Sequence, residues 1–272
     1  MRYLLLFVLL LCWLPLTAEA TNPPDEKQSL TADEIINKHL EVSGGKEALT
    51  KFQSRIAVGT VKKESDPEAR MAIMSEAPNH VTGMFIFNKF DWQLTYDGSK
   101  SFIRPLLPRE SAPIQDRYQA MLSSGLMFNS ISLYNVLLAK ESSGAKFEAK
   151  GLKKVKDRQA YVVEMKRPKG ISARLYFDAT TFMWLRTDYG TVHISKPIGQ
   201  FTNEVVPHGE DELRVDFYFE TSDFRDVAGV KLPFKFELVV TYPIITQKRV
   251  GTISGTIIEY QHNVQIDPKM FK

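Results

Sequence analysis

Residues 223–238, DFRDVAGVKLPFKFEL, combine the alternation of a β-strand with the signature of a tight turn. From residue 230 onward, every second position carries a large apolar side chain. Because alternate side chains of a strand point to opposite faces, this pattern predicts one dry face and one wet face. The turn residues at 226–229 predict a hairpin with the preceding strand. The dry face consists of Val230, Leu232, Phe234, Phe236 and Leu238.

Pro233 interrupts this strand on the wet face. Proline has no backbone amide and cannot donate to a ladder, so within sheets it is confined mainly to edge strands and bulges. The sequence therefore predicts that Pro233 lies at an edge or a bulge where an incomplete barrel opens.

The period of two recurs along most of the chain. Turn residues separate the segments, and the Asp97-Gly98 pair is a strong hairpin signal because glycine adopts the positive φ that such turns need. The predicted strands lie within 54–64, 70–78, 80–90, 92–98, 99–105, 146–155, 159–167, 172–178, 182–189, 212–224, 229–242 and 249–267. No shift in composition marks a second domain, so residues 30–272 are predicted to form one domain.

Two regions have helical spacing instead. At 31–45, Thr31 and Glu34 form a capping box before an apolar face that includes His39, and Gly44 ends the pattern. We interpret His39 as a packed histidine. After prolines that break helix and strand alike (Pro105, Pro108 and Pro113), residues 114–140 predict two further amphipathic helices, the second capped by Asn129.

If the predicted strands formed a flat sheet, these helices would be too few and too short to cover its dry face. About ten two-faced strands need a partner for their dry side, and a sheet that curls can provide one itself. Barrels wider than about eight strands tend to hold ligand, so an apolar interior predicts an apolar ligand. The alternative is that these side chains simply pack a dry core. The candidate cavity residues are Phe85, Phe87, Trp92, Leu94, Val215, Phe217, Phe219, Leu232, Phe234 and Phe236, and the candidate lid residues are Tyr118, Met121, Leu122, Leu126 and Tyr134.

The first twenty residues have the three parts of a secretory signal peptide, with cleavage predicted after Ala20. A polar leader follows at 21–29. Cys12 is the only cysteine and lies in the segment to be removed, so the mature chain is predicted to have no thiol chemistry and no disulfide. The net charge of +3 is a near balance of acids and bases, which argues against nucleic acid as a partner.

No pattern of catalytic residues assembles in the sequence. There is no nucleophile elbow, phosphate loop or dinucleotide fingerprint. The five histidines are scattered, and His193 and His208, with Glu204 between them, form the one candidate metal group. We therefore expect a protein that is not an enzyme and has neither metal nor cofactor.

Four short motifs point to a known family. They are Pro78-Asn79 before a strand, LTYDGSKSFIRP at 94–105, DVAGVKLPFKFEL at 226–238 and NVQIDPKMF at 263–271. With the order of elements, they resemble the LolA/LolB-like superfamily of periplasmic lipoprotein carriers, in particular the outer-membrane lipoprotein-sorting group.

The resemblance implies a mainly β fold, an unclosed antiparallel barrel with N-terminal and mid-chain helices as a lid over an apolar cavity. It implies a soluble periplasmic carrier or chaperone for acyl chains of lipoproteins or other lipids, with inner- or outer-membrane proteins as possible partners. In the best-known carriers an arginine precedes the Pro-Asn pair and helps to hold the lid shut, whereas Ala77 stands there in this chain. The alternative is an envelope sensor or regulatory binding module of the same fold without lipid transport.

Overall fold

The computed structural model describes residues 30–64, 66–86, 91–98, 101–104, 112–113, 128, 130–133, 136–138, 144–167, 172–195, 212–243 and 248–272. At 91–92, 101–104, 112–113, 192–195, 212–215, 242–243 and 248–250 the backbone alone is described. The predicted signal peptide, Cys12 and the polar leader lie outside the described residues.

Helix α1, Ala32–Val42, begins at the predicted capping box. Thr31 Oγ1 accepts a hydrogen bond from Glu34 N at 3.2 Å, and Glu34 Oε2 accepts one from Thr31 N at 2.8 Å. Ser43 is the C-cap of this helix. The next residue, Gly44, adopts a φ of 121° and leads into helix α2, Gly45–Thr50. One face of α1 is buried, so the local signals position this helix against the sheet.

Thirteen strands form one antiparallel sheet in the described residues. They are β1 Ser54–Lys63, β2 Ala69–Glu76, β3 His80–Ile86, β4 Asp91–Tyr96, β5 Ser101–Arg104, β6 Ala112–Pro113, β7 Lys146–Val155, β8 Arg158–Lys166, β9 Ala173–Asp178, β10 Trp184–Ser195, β11 Glu212–Val227, β12 Val230–Pro243 and β13 Lys248–His262. Their order is β6-β5-β4-β3-β2-β1-β13-β12-β11-β10-β9-β8-β7, so β6 and β7 are edges and the sheet is not closed. The predicted fold class, a mainly β unclosed antiparallel barrel, is confirmed.

The stretch 223–238 forms the hairpin between β11 and β12. Val227 pairs with Val230, and the two loop residues, Ala228 and Gly229, have φ values of 54° and 83°. Two positive φ values are those of a type I′ turn, whose twist suits a two-residue hairpin. Asp226 Oδ1 accepts a hydrogen bond from Gly229 N at 3.1 Å. The predicted hairpin is confirmed.

The predicted position of Pro233 is wrong. Pro233 is buried, and β12 is an internal strand whose register with β11 contains no shift. Pairing of β12 with β13 begins only at Lys235, and earlier in the strand Lys231 N donates to Ser43 O at 3.1 Å. Because the β13 ladder has not started at Pro233, its missing amide removes no bond of that ladder.

The dry faces of strands from both halves of the sheet meet, together with α1, in one buried cluster on the concave side. A bulge between Val58 and Gly59 shifts the β1–β13 register, and bulges bend strands. Close packing also needs glycine at Gly255, where the Phe236 ring occupies the space of a Cβ atom. The bulge bends the sheet, and the glycine lets it pack closely on its apolar residues.

The middle of the chain differs in part from the prediction. Pro113, predicted to act against strand, lies in the edge strand β6, where a proline is tolerated. Residues 130–133 and 136–138 form turns or bends, and Ile131 N and Ser132 N both donate to Phe128 O at 2.8 Å. The remainder of the two predicted mid-chain helices, including Asn129, lies outside the described residues.

Candidate functional site

The predicted cavity residues whose side chains are described all lie in the concave cluster. Their exposed fractions do not exceed 9%. They are Phe85, Leu94, Phe217, Phe219, Leu232, Phe234 and Phe236. Phe87 lies outside the described residues, and Trp92 and Val215 are described by their backbone alone. The five predicted lid residues, Tyr118, Met121, Leu122, Leu126 and Tyr134, also lie outside.

The chain's own mid-chain residues fill the described part of this concave face. We call residues 128, 130–133 and 136–138 the plug. Its side chains Phe128, Ile131, Val136 and Leu137 are at most 3% exposed and belong to the same cluster. The plug therefore occupies the region that the sequence analysis considered either a cavity or a dry core.

Phe128 places the plug between distant strands. Its ring centroid lies 6.1 Å from that of Phe85 on β3 and 6.5 Å from that of Phe219 on β11. Gly83 makes room for it, since a Cβ atom there would lie 2.9 Å from Phe128 Cζ. Phe219 in turn stacks on Phe236 at 5.3 Å. One plug side chain thus links both halves of the curled sheet.

Arg55 on β1 holds the plug by its backbone. This arginine is 3% exposed, and its Nη1 donates to Ser132 O at 2.9 Å, with longer bonds to Ile131 O at 3.4 Å and Ser130 O at 3.5 Å. Burial lowers the pKa of Arg55 to about 10, so the side chain is a cation at neutral pH. The plug is fastened by a buried charge.

Ser75, the cross-strand partner of Arg55, supplies a second attachment. Leu133 N donates to Ser75 Oγ at 2.9 Å. The sequence analysis did not identify Arg55 or Ser75, although a signal exists. Arg55 shares the parity of buried Ala57 and Ser75 that of buried Ile73, so both are polar residues on a dry face.

The other side of Arg55 meets a neutral histidine. Arg55 Nε donates to His262 Nε2 at 3.0 Å, and the His262 ring stacks on Phe52 at a centroid distance of 3.8 Å. Burial, followed by the positive charges of Arg55 and Lys51, lowers the pKa of His262 to about 4. His262 is therefore neutral at neutral pH and accepts a hydrogen bond without compensating the charge of Arg55.

His39 is packed in the core, as predicted from the sequence. Its Nδ1 donates to Phe182 O at 3.0 Å, and its ring lies 5.1 Å from Phe177 and 5.9 Å from Trp184. Burial lowers the pKa of His39 to about 4, so it is neutral in the folded protein.

A cleft separates the plug from α1, α2 and the beginning of β12. It spans about 430 Å³, solvent at its open side included, and its enclosed part has room for about one or two water molecules. Among the described residues, its lining contains two cations and no carboxylate. The lining residues are His39, Ser43, Leu49, Arg55, Ser130, Ser132, Leu133, Leu138, Phe224, Lys231 and Leu232.

The described residues contain no group of three or more side chains that could hold a metal ion. Of the candidate metal group, Glu204 and His208 lie outside the described residues and His193 is described by its backbone alone. None of the helices in the described part is long and apolar enough to cross a membrane.

No family model matches the chain, and no curated protein matches its sequence. Three solved structures match the chain in a structural comparison. A DUF1329 family protein from Desulfovibrio piger has a TM-score of 0.51 at 10% identity, over 89% of this chain and 97% of that chain. A putative outer membrane lipoprotein-sorting protein domain from Vibrio parahaemolyticus has a TM-score of 0.50 at 10% identity, over 87% and 97%. A LolA superfamily protein from Nitrosomonas europaea has a TM-score of 0.49 at 10% identity, over 90% and 98%.

At these identities the likeness concerns the fold alone. The chain shares the fold of a putative outer membrane lipoprotein-sorting protein domain, and its sequence motifs resemble that group.

Proposed function

We propose that this protein is a periplasmic carrier or chaperone that binds acyl chains of lipoproteins or other lipids on the concave face of its sheet. The observation that carries the proposal is the plug. Its apolar side chains pack in the buried cluster of the concave face, and hydrogen bonds with Arg55 and Ser75 hold its backbone. An occupant held in this way can be exchanged for an apolar ligand. The fold and the predicted signal peptide support the same role.

Burial of the plug and burial of an acyl chain contribute similar free energies. Burial of four large apolar side chains in the plug contributes about 6 to 12 kcal/mol, at about 1.5 to 3 kcal/mol for each side chain. A sixteen-carbon acyl chain contributes about 12 kcal/mol, at about 0.8 kcal/mol for each CH₂ group. Because the two are comparable, a ligand can displace the plug and the plug can later displace the ligand. Binding and release need no covalent step.

Arg55 acts as the latch of the plug in this proposal. In the family that the sequence resembles, an arginine before the Pro-Asn pair holds the lid, and this chain has Ala77 there. Arg55 reaches the plug from β1 instead and bonds to three successive carbonyls. We expect these bonds to break when a ligand enters.

The test combines ligand identification with hydrogen exchange. Protein purified after export is extracted with organic solvent for mass spectrometry, and the lipid-free protein is titrated with a fluorescent fatty acid. We expect saturable binding and faster amide exchange at 130–133 and 136–138 in the complex. An extract without acyl ligand, together with no uptake of the probe, contradicts the proposal. Binding of a defined envelope protein without lipid favours the regulatory alternative.

A further inference from the structure

The cleft beside the plug has the chemistry of an anion site. We propose that, beside the seated plug, it receives the anionic head group of an amphiphile, a carboxylate or a phosphate, and that Arg55 and Lys231 keep the head group when the acyl chain displaces the plug. This inference rests on the proposed function, and it adds the class of head group and the residues that recognise it.

The first argument is the charge of Arg55. In the part of the chain that the structure describes, no Asp or Glu forms an ion pair with Arg55. Its hydrogen bonds go to neutral carbonyls and to neutral His262. Burying a cation without a counter-charge is costly, and an anion in a low-dielectric cleft is attracted more strongly than in water. The cleft therefore favours a negatively charged occupant.

The second argument is a hydroxyl group that has no partner. Ser130 Oγ is buried and has no hydrogen-bond partner among the described residues, and Ser130 lines the cleft. A buried hydroxyl without a partner costs free energy, and an anionic oxygen accepts a strong, charge-assisted hydrogen bond. The Ser43 hydroxyl lines the cleft as well and lies 3.4 Å from His39 Nδ1.

Lys231 adds a second positive charge to the lining. It is exposed, and its backbone amide bonds to Ser43 O, which fixes its position beside α1. Its cross-strand partner Asp226 accepts a hydrogen bond from Gly229 N. No ion pair of Lys231 occurs within the described ranges. The lysine can therefore attract a head group from solvent.

Most of the remaining lining residues are apolar, which explains why the ligand is an amphiphile rather than a free ion. Leu49, Leu133, Leu138 and Leu232 line the cleft, and all four pack in or against the concave cluster. The enclosed room for about one or two waters suits the two oxygens of a carboxylate. The acyl tail then extends along the concave face as the plug leaves, and the head group takes the place of the plug carbonyls at Arg55.

Competition against the bound fluorescent fatty acid tests the head-group preference. The competitors are hexadecanoate, hexadecyl phosphate and uncharged hexadecanol, each below its critical micelle concentration. We expect the two anions to displace the probe at about tenfold lower concentration than the alcohol, because charge-assisted bonds stabilise only their complexes. Lys231→Met should lower this preference about threefold or more.

Lys235→Met is the matched control, since Lys235 is an exposed lysine of the same strand that does not line the cleft. It should leave the preference unchanged. Equal displacement by acid and alcohol, unaffected by Lys231→Met, overturns the head-group site and leaves acyl binding standing. Inorganic phosphate that competes as well as hexadecyl phosphate overturns the amphiphile as the source of the anion.

If the probe does not bind at all, the proposed function fails, and a phosphate titration followed by amide NMR judges the head-group site alone. Saturable shifts at Ser43, Ser130 and Lys231 that are lost in Lys231→Met support an anion site. Their absence overturns it.

Discussion

Phe128→Ala tests whether the plug competes with the ligand. Phe128 is 2% exposed and contacts Phe85 and Phe219 across the concave face. Truncating a buried phenylalanine to alanine costs about 3 to 5 kcal/mol. In the ligand-free protein we therefore expect the free energy of unfolding to fall by about this amount.

The complex should respond differently from the free protein. If the acyl chain has displaced the plug, Phe128 has left the core and its truncation costs little. The free protein is then destabilised relative to the complex, and the apparent affinity increases. At about 1.4 kcal/mol for each factor of ten, a loss of 3 kcal/mol corresponds to about a hundredfold tighter binding.

Urea unfolding with and without hexadecanoate, together with titration of the fluorescent fatty acid, measures both quantities. Phe177→Ala is the matched control, because Phe177 on β9 is fully buried in the same cluster and packs on His39 rather than on the plug. This control should be destabilised to a similar extent in the free and the bound state. Its affinity should not change.

Two results would refute the plug mechanism. One is an unchanged or weaker affinity of Phe128→Ala despite the loss of stability. The other is an equal gain in affinity for Phe128→Ala and Phe177→Ala, which would indicate that any new core cavity binds the probe.

Three further predictions concern stability. Gly255→Ala should cost about 1 to 3 kcal/mol in urea unfolding, because its Cβ atom would overlap an aromatic ring, while exposed Ser254→Ala should stay within about 0.5 kcal/mol. Thr31→Ala should cost about 1 kcal/mol through loss of the capping box, and an unchanged urea midpoint would contradict this. The stability that comes from neutral His39 should be fully present above about pH 6.5 and be lost as the pH falls toward 4, because the unfolded chain binds more protons than the folded chain in that range. The free energy of unfolding then decreases by about 1.4 kcal/mol for each pH unit. His262, whose pKa is also about 4, acts in the same direction, and His39→Gln should flatten the dependence of unfolding on pH.

The strands, the hairpin and helix α1 could be predicted because their signals are local. Alternation from Val230 to Leu238 states which side chains share a face, and Gly229 supplies a backbone conformation that the turn needs. Thr31 and Glu34 lie three residues apart, so their capping box needs no distant partner. These elements are stabilised mainly by neighbours in the sequence.

Pro233 was misplaced because edge status is not a local property. Whether a strand lies at an edge depends on which other strands pair with it and where that pairing begins. Here the pairing of β12 with β13 begins only at Lys235. Earlier in β12, the amide of Lys231 donates a hydrogen bond to the carbonyl of Ser43 instead. No pattern within 223–238 specifies that arrangement.

By itself the sequence determined which residues face the concave side and that a large apolar surface had to be covered. Only the tertiary structure decided that the plug covers the described part of this concave surface. Phe128 contacts Phe85 and Phe219 on two distant strands, and Arg55 binds the backbone of the plug, the segment that contains Phe128. The physical reason is that periodicity states the direction of a side chain, whereas packing depends on which residues, distant in the chain, arrive opposite it.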